Sequence, residues 1–276
     1  MKHKCLIFSK DRAAQLLVLL ETLQRMCVDY VNLNIVVLYA VSNTGHSKQY
    51  DLLKSLYKNV EFKLETNFKI DVENILVETE FISLFVDDCV VTQKFTYSST
   101  LDILEKNEDS IGFSLRLGKN TTYCYASNVN QVVPILQNVN EDIVKFNWTN
   151  AGFDFGYPID LSSSVYKTSI ILTLMKDQRV NGPNLLEHLM YCRCRMFEKV
   201  KPNLLCFNTS KAFCIPLNVV NHRNTVNRRC GNSEYSIDNI FNKFDMGLKI
   251  DIQKFIGKVP NSCHLEESLS WIPRVE

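Results

Sequence analysis

The chain has no apolar run that approaches the ~20 residues a membrane-spanning helix needs; stretches such as Ile170-Ile171-Leu172 stop far short. It also lacks an excess of either charge. Thirty-one lysines and arginines against 30 aspartates and glutamates leave a formal net charge of +1, so no global field draws in nucleic acid. Low-complexity tracts, internal repeats and a linker-like segment are all missing. No secretory leader is recognisable, because Met1-Lys2-His3-Lys4 passes straight into an apolar run. The expectation is therefore a cytoplasmic protein whose 10 cysteines are reduced. Their spacing offers no zinc site: Cys192-Arg193-Cys194 is a lone pair on an expected helix. Without secretion, the Asn-X-Ser/Thr triplets beginning at Asn120, Asn147 and Asn208 carry no meaning.

What the chain does have is core. Hydrophobic residues make up 46% of its 276 positions, enough for one large α/β domain and too many for disorder. Cys5–Phe8, Asn34–Tyr39 and Val60–Leu64 read as strands. Between them, Ala13, Leu16, Leu17, Leu20 and Leu23, and then Leu52, Leu53 and Leu56, recur at helical spacing, with Asp11 placed to cap the first helix. Ile70–Val77 reads as a short helix, Phe81–Val86 as a strand, Leu101–Leu104 as a helix and Ile111–Leu115 as a strand. This alternation implies a mostly parallel sheet with helices on its faces. Residues 118–158 lose the pattern and are rich in aromatics, most of them expected to pack a loop onto the sheet. Helical patterns return over Val165–Met175, Leu185–Phe197 and Ile237–Phe244, the last with Gly247 as its stop. The division expected is a nucleotide-binding half, 1–117, and an acceptor-binding half with a tail, 118–276.

The most informative stretch is Phe81-Ile82-Ser83-Leu84-Phe85-Val86-Asp87-Asp88. A run this short and apolar is a strand buried on both faces. Two carboxylates at its end repel unless something neutralises them, and a divalent cation does so while bridging to phosphate. Strand carboxyl ends are also where open α/β sheets bind ligands. A solvated turn or a helix cap explains the pair equally well.

These motifs in this order resemble nucleotide-sugar glycosyltransferases of the GT-A fold, in particular the bacterial branch that builds surface polysaccharides. The resemblance runs through Phe8-Ser9-Lys10-Asp11-Arg12, Asp87-Asp88, Phe155-Gly156-Tyr157-Pro158-Ile159-Asp160-Leu161, Asn184-Leu185-Leu186-Glu187 and His264-Leu265-Glu266. It departs at Cys89, where the family's Asp-X-Asp often carries its second acid. The resemblance implies a single-domain Rossmann-like sheet with a helical acceptor side, and transfer of a sugar from a nucleotide donor, a UDP-sugar, to a glycan or lipid-linked acceptor. It implies Mn2+ or Mg2+ held by Asp88 and by a late ligand, His264. Ser9, Lys10, Asp11 and Arg12 would shape the donor pocket, Asp87 would meet the ribose or the metal's waters, and Tyr39 would lie near the base. A basic group, His222, Arg223, Arg228 and Arg229, suits phosphate, with Arg223 the donor contact, although a solvated loop accounts for it as well. Asp160 and Glu187 are the candidates for the base that takes the acceptor's proton; a turn aspartate and a capping-box glutamate are their bland alternatives. No nucleic-acid partner is expected. Contact with the inner face of a membrane and the oligomeric state stay open. Two rivals remain: a non-catalytic partner of the same fold, and a haloacid-dehalogenase-type phosphatase, whose second acid would fall where Cys89 stands.

Overall fold

The computed structural model describes residues 1–276 except 78, 220–227, 229, 275 and 276. In chain order the strands and helices are β1 (His3–Lys10), α1 (Ala13–Met26), β2 (Ile35–Ala40), α2 (Thr44–Leu56), β3 (Glu61–Leu64), α3 (Phe68–Leu76), β4 (Phe81–Val86), β5 (Cys89–Val91), α4 (Tyr97–Lys106) and β6 (Ser110–Ser114). There follow β7 (Tyr123–Cys124), β8 (Val129–Asn130), β9 (Gln137–Asn138), β10 (Ile143–Asn147), β11 (Ser164–Lys167), α5 (Thr168–Met175), α6 (Pro183–Cys194), β12 (Asn203–Phe207), β13 (Ala212–Cys214), α7 (Ile237–Asp245), β14 (Leu248–Ile250) and β15 (Trp271–Pro273).

A nine-stranded sheet in the order β3-β2-β1-β4-β11-β6-β12-β10-β9 forms the spine. Its strands are apolar at consecutive positions because both faces are covered. Along β1, Cys5 and Ile7 enter one core while Leu6 and Phe8 enter the other; Ile35, Val37 and Val36, Leu38 divide in the same way along β2. This is the two-residue side-chain period of a strand buried on both sides. One core is packed by α1, α2, α4 and α7, and the other by α3, α5 and α6. The expected α/β architecture, a central sheet flanked by helices, is therefore what the chain adopts.

The first four strands in the sheet are parallel, as the alternation requires. Beyond β4 the sheet is mixed: β11 runs antiparallel to both β4 and β6, and β10 antiparallel to β12. Several local expectations are corrected here. Val165–Met175 is not one helix; Ser164–Lys167 is a strand that inserts between β4 and β6, and the helix starts at Thr168. Val165 and Tyr166, both fully buried, favour the pleated surface. Inside the irregular region, Ile143–Asn147 is a strand of the main sheet. The aromatics there mostly pack, with Tyr125, Phe146, Trp148 and Phe155 buried and Phe153 exposed. Asp11 does not cap α1. It sits at a positive φ of 55°, and its carboxylate accepts from Ser42 N–H at 2.7 Å and Ser42 Oγ at 2.5 Å, tying the ends of β1 and β2 together.

Candidate active site at the carboxyl edge of the sheet

The parallel strands deliver their ends to one edge. Ser9 and Lys10 end β1 and Asp11 and Arg12 follow it, Asp87 and Asp88 leave β4, and Arg116 follows β6. Because β11 runs the other way, the residues that precede it arrive at the same edge: Ser163 N–H bonds Leu84 O at 2.8 Å, which sets Asp160 beside the end of β4. Topology thus brings together residues more than 70 positions apart.

Asp87 is fully buried and is neutralised by the protein itself. It pairs with the Arg12 guanidinium, accepts from Ser9 Oγ at 2.8 Å and lies 3.3 Å from Lys10 N–H. Burial nevertheless lifts its pKa to about 6, against the pull of Arg12 and with help from neighbouring Asp88. Ser9 Oγ also meets Tyr50 OH at 2.5 Å, and Tyr50 stacks on Tyr39 at 4.6 Å. Tyr39 is buried, with its hydroxyl taken by Lys54 at 2.8 Å, so it packs behind Tyr50. Lys10 is exposed.

Asp88 differs. Arg12 stands 3.7 Å from its Oδ2, while its Oδ1 is buried without a hydrogen-bond partner among the described residues. An orphaned carboxylate oxygen is what a cation ligand looks like before the cation is counted. Its ligand atom lies within 4.8 Å of the sulfurs of Cys89 and Cys214. Among the described residues this trio is the one metal-capable cluster of three, and His264 is not part of it. His264 Nε2 faces Arg116 Nη1 at 3.4 Å, with Tyr125 6.1 Å from its ring. Burial and then the Arg116 charge hold its pKa down at about 3, so the imidazole is neutral at pH 7. The tail reaches this place by pairing with β13: Cys214 N–H bonds Cys263 O at 2.9 Å and Leu265 N–H bonds Cys214 O at 3.0 Å.

Arg116 was not a candidate from sequence. The available signal was a lone cation directly after an apolar strand, and such cations usually reach solvent. Here it is buried, with Nη2 3.3 Å from Asp160 Oδ2 and Nη1 3.7 Å from Cys214 Sγ. Asp160 is further fixed by Ser162 N–H at 2.8 Å and by Ser164 Oγ at 3.0 Å. Its backbone N–H bonds Tyr166 OH at 2.8 Å. Glu187 is not in a capping box; α6 is capped at Gly182, and Glu187 accepts instead from Leu161 N–H at 3.1 Å. Burial first and the Asp160 charge second raise its pKa to about 7. Arg223, with His222 and Arg229, lies outside the described residues. Arg228 is described, stacked 4.3 Å over the Tyr125 ring and 3.9 Å from Glu266.

No protein-family model matches the chain. In an alignment 196 positions long that covers 65% of this chain, it is 29% identical to the bifunctional glycosyltransferase pgtA of Dictyostelium discoideum; the match spans 25% of that larger protein. Among solved structures it superposes on Staphylococcus aureus TarS with a TM-score of 0.45 and 14% identity, over 69% of this chain and 33% of TarS. The mannosyltransferase PcManGT of Pyrobaculum calidifontis, solved with GDP-Man and Mn2+, gives 0.44 and 9% over 74% of this chain and 53% of its own. No helix among the described residues is long and apolar enough to cross a membrane.

Proposed function

We propose that the protein is a glycosyltransferase of the GT-A fold that moves a sugar from a UDP-sugar to a hydroxyl of a glycan or lipid-linked acceptor, as in surface polysaccharide assembly at the cytoplasmic face of a membrane. One observation carries the reading. At the end of the central strand β4, Asp87 is committed to Arg12 and Ser9, while Asp88 keeps a buried carboxylate oxygen with no hydrogen-bond partner among the described residues. The likeness to pgtA, a bifunctional glycosyltransferase, supports it.

Mn2+ or Mg2+, when bound, supplies positive charge to a departing nucleoside diphosphate. Asp88 would hold it, and neutral His264 on the tail, which faces Arg116 and lies outside the Asp88 cluster, would have to turn toward it to serve as a second ligand or as a donor to the phosphates. Ser9, Lys10, Asp11 and Arg12 form the floor of the donor pocket, and Asp87 fixes that floor from below. Glu187 is the base. Its pKa near 7 lets it be ionised in part at neutral pH and still accept a proton from the attacking hydroxyl, the balance a general base needs. Asp160, held by Arg116 and two serines, is positioned to keep that pKa high rather than to move a proton itself.

The test is calorimetry with UDP and turnover with UDP-sugars, each with and without Mn2+. UDP is expected to bind more tightly with the cation, and Asp88→Asn to lose at least about 100-fold in turnover with the fold intact. Equal UDP affinity in excess chelator removes the metal from the proposal. No binding of any donor by a natively folded protein favours the non-catalytic partner of the same fold.

A further inference from the structure

The proposed function leaves two buried thiols unexplained. Cys89 and Cys214 are directly opposite each other in the short antiparallel pair β5–β13, with their sulfurs 3.2 Å apart. Both are essentially inaccessible, at 0% and 1% exposure. The adjoining Asp88 is clamped to the same pair, since its carbonyl accepts from Ile215 N–H at 2.9 Å. The orphaned Asp88 carboxylate and the two sulfurs lie within 4.8 Å of one another. Asp88 and Cys89 also line one small cavity, together with Asp87, Gln15, Ile215 and Leu217.

We propose that Asp88, Cys89 and Cys214 form a binding site for a thiophilic divalent cation of the Zn2+ type. Two thiolates and a carboxylate make a donor set that discriminates by softness. Sulfur favours Zn2+ over Mn2+ and Mg2+, which take oxygen. Three protein ligands are also the usual number for a zinc ion that keeps one position open. Loading releases the two thiol protons to solvent as the metal–sulfur bonds form. The three negative ligands exceed the charge of a dication by one, and the Arg116 guanidinium, 3.7 Å from Cys214 Sγ, offsets the difference. Cys89 thus does more than remove an acid: with Cys214 it turns a hard oxygen site into a mixed one. The site stands on this geometry and not on sugar transfer, although it shares Asp88 with the function proposed above.

Co2+ is the optical probe, because thiolate coordination gives an intense charge-transfer absorption that oxygen ligands do not. The full-length reduced protein, without nucleotide, is expected to bind one Co2+ with that band. Zn2+ should displace it stoichiometrically, and a hundredfold excess of Mn2+ should not. Cys89→Ser/Cys214→Ser should abolish the band, and Asp88→Asn should weaken Co2+ at least tenfold with the band retained. Circular dichroism checks that each variant is folded. The exposed Cys192 lies 3.7 Å from His188 and is the obvious competing site, so Cys192→Ser is the control and should leave the band intact. Absence of the band in the reduced native protein, or its persistence in the double serine variant, overturns the proposal. UDP calorimetry on the double serine variant reads the transferase proposal separately: Mn2+-dependent UDP binding there survives whatever cobalt shows.

Discussion

At the scale of single residues, the site is governed by which buried charges have partners. Among the described residues Glu187 has one hydrogen bond, from Leu161 N–H, and its burial and then the like charge of Asp160 hold its proton to about pH 7. Two consequences follow from one pKa. If Glu187 is the base, turnover rises as pH climbs through about 7, and Glu187→Gln removes that limb together with most of the activity. Stability moves the opposite way. The folded protein keeps a proton that the unfolded chain loses near pH 4.5, so stability is fullest below that and declines as pH rises through about 7. Denaturant titrations at pH 5 and pH 8 should show this decline in the native protein and a flatter profile in Glu187→Gln; equal slopes would mean Glu187 is not perturbed. Arg116 is the converse case, a buried cation whose carboxylate partner is itself buried. Arg116→Ala strands Asp160, and a loss of about 3 kcal/mol is expected in chemical denaturation, the cost of an unpaired buried charge. A loss under about 1 kcal/mol would show that solvent reaches Asp160.

At the scale of elements, the antiparallel strand β11 is the one that arms the site, and Gly112 on its neighbour β6 is what lets it fit. A Cβ at Gly112 would lie 2.6 Å from the Tyr166 ring, and Tyr166 OH in turn holds Asp160 by its backbone. Gly112→Ala therefore has to push the ring, the hydroxyl and the turn carrying Asp160. The expected result is a destabilisation of about 1–3 kcal/mol, the range for overpacking a close-packed interior, and a fall in the Glu187 pKa as Asp160 shifts. Native stability and an unchanged pH–rate profile would sever that link. The strand itself was hard to see in sequence. Tyr166, Ile170 and Leu174 recur every four residues, as do Ile171 and Met175, so the apolar positions of the strand read as the first turn of the helix that follows it. The boundary at Lys167–Thr168 is a tertiary choice, made by pairing with Leu84 and Phe113. By contrast β1, β2, β4, α1 and α7 were legible because each is bounded by polar residues and carries one period.

At the scale of the whole molecule, the carboxyl-terminal segment is the closing piece. It has little periodicity of its own, yet Cys263–Leu265 add to the β13 edge and Trp271–Pro273 pair with β14. Tyr125 OH donates to Glu266 at 2.6 Å, joining the tail to the irregular region across the site. A ligand that binds the folded chain raises its apparent stability by mass action. UDP with Mn2+ should therefore protect residues 259–274 from limited proteolysis. His264→Ala should weaken metal-dependent UDP binding about ten- to a hundredfold, the scale of losing a ligand or its orienting shell. Parental affinity in His264→Ala, with no protection of the tail, would leave His264 as packing against Arg116.

The sequence by itself determined the parallel half of the sheet and the place of Asp87-Asp88 at a strand end, because hydrophobic period and strand-end chemistry are local properties of consecutive residues. It also singled out Ser9–Arg12, Asp160, Glu187 and His264, but on resemblance, and with no means of telling which would meet. Packing alone decided that Arg12 pairs with Asp87, that Arg116 stands between Asp160 and His264, and that Cys214 faces Cys89 from 125 residues away. The reason is physical. Whether a charge is solvated, paired or orphaned depends on the neighbours that packing supplies, and in this fold those neighbours come from strands and a tail that are remote in sequence.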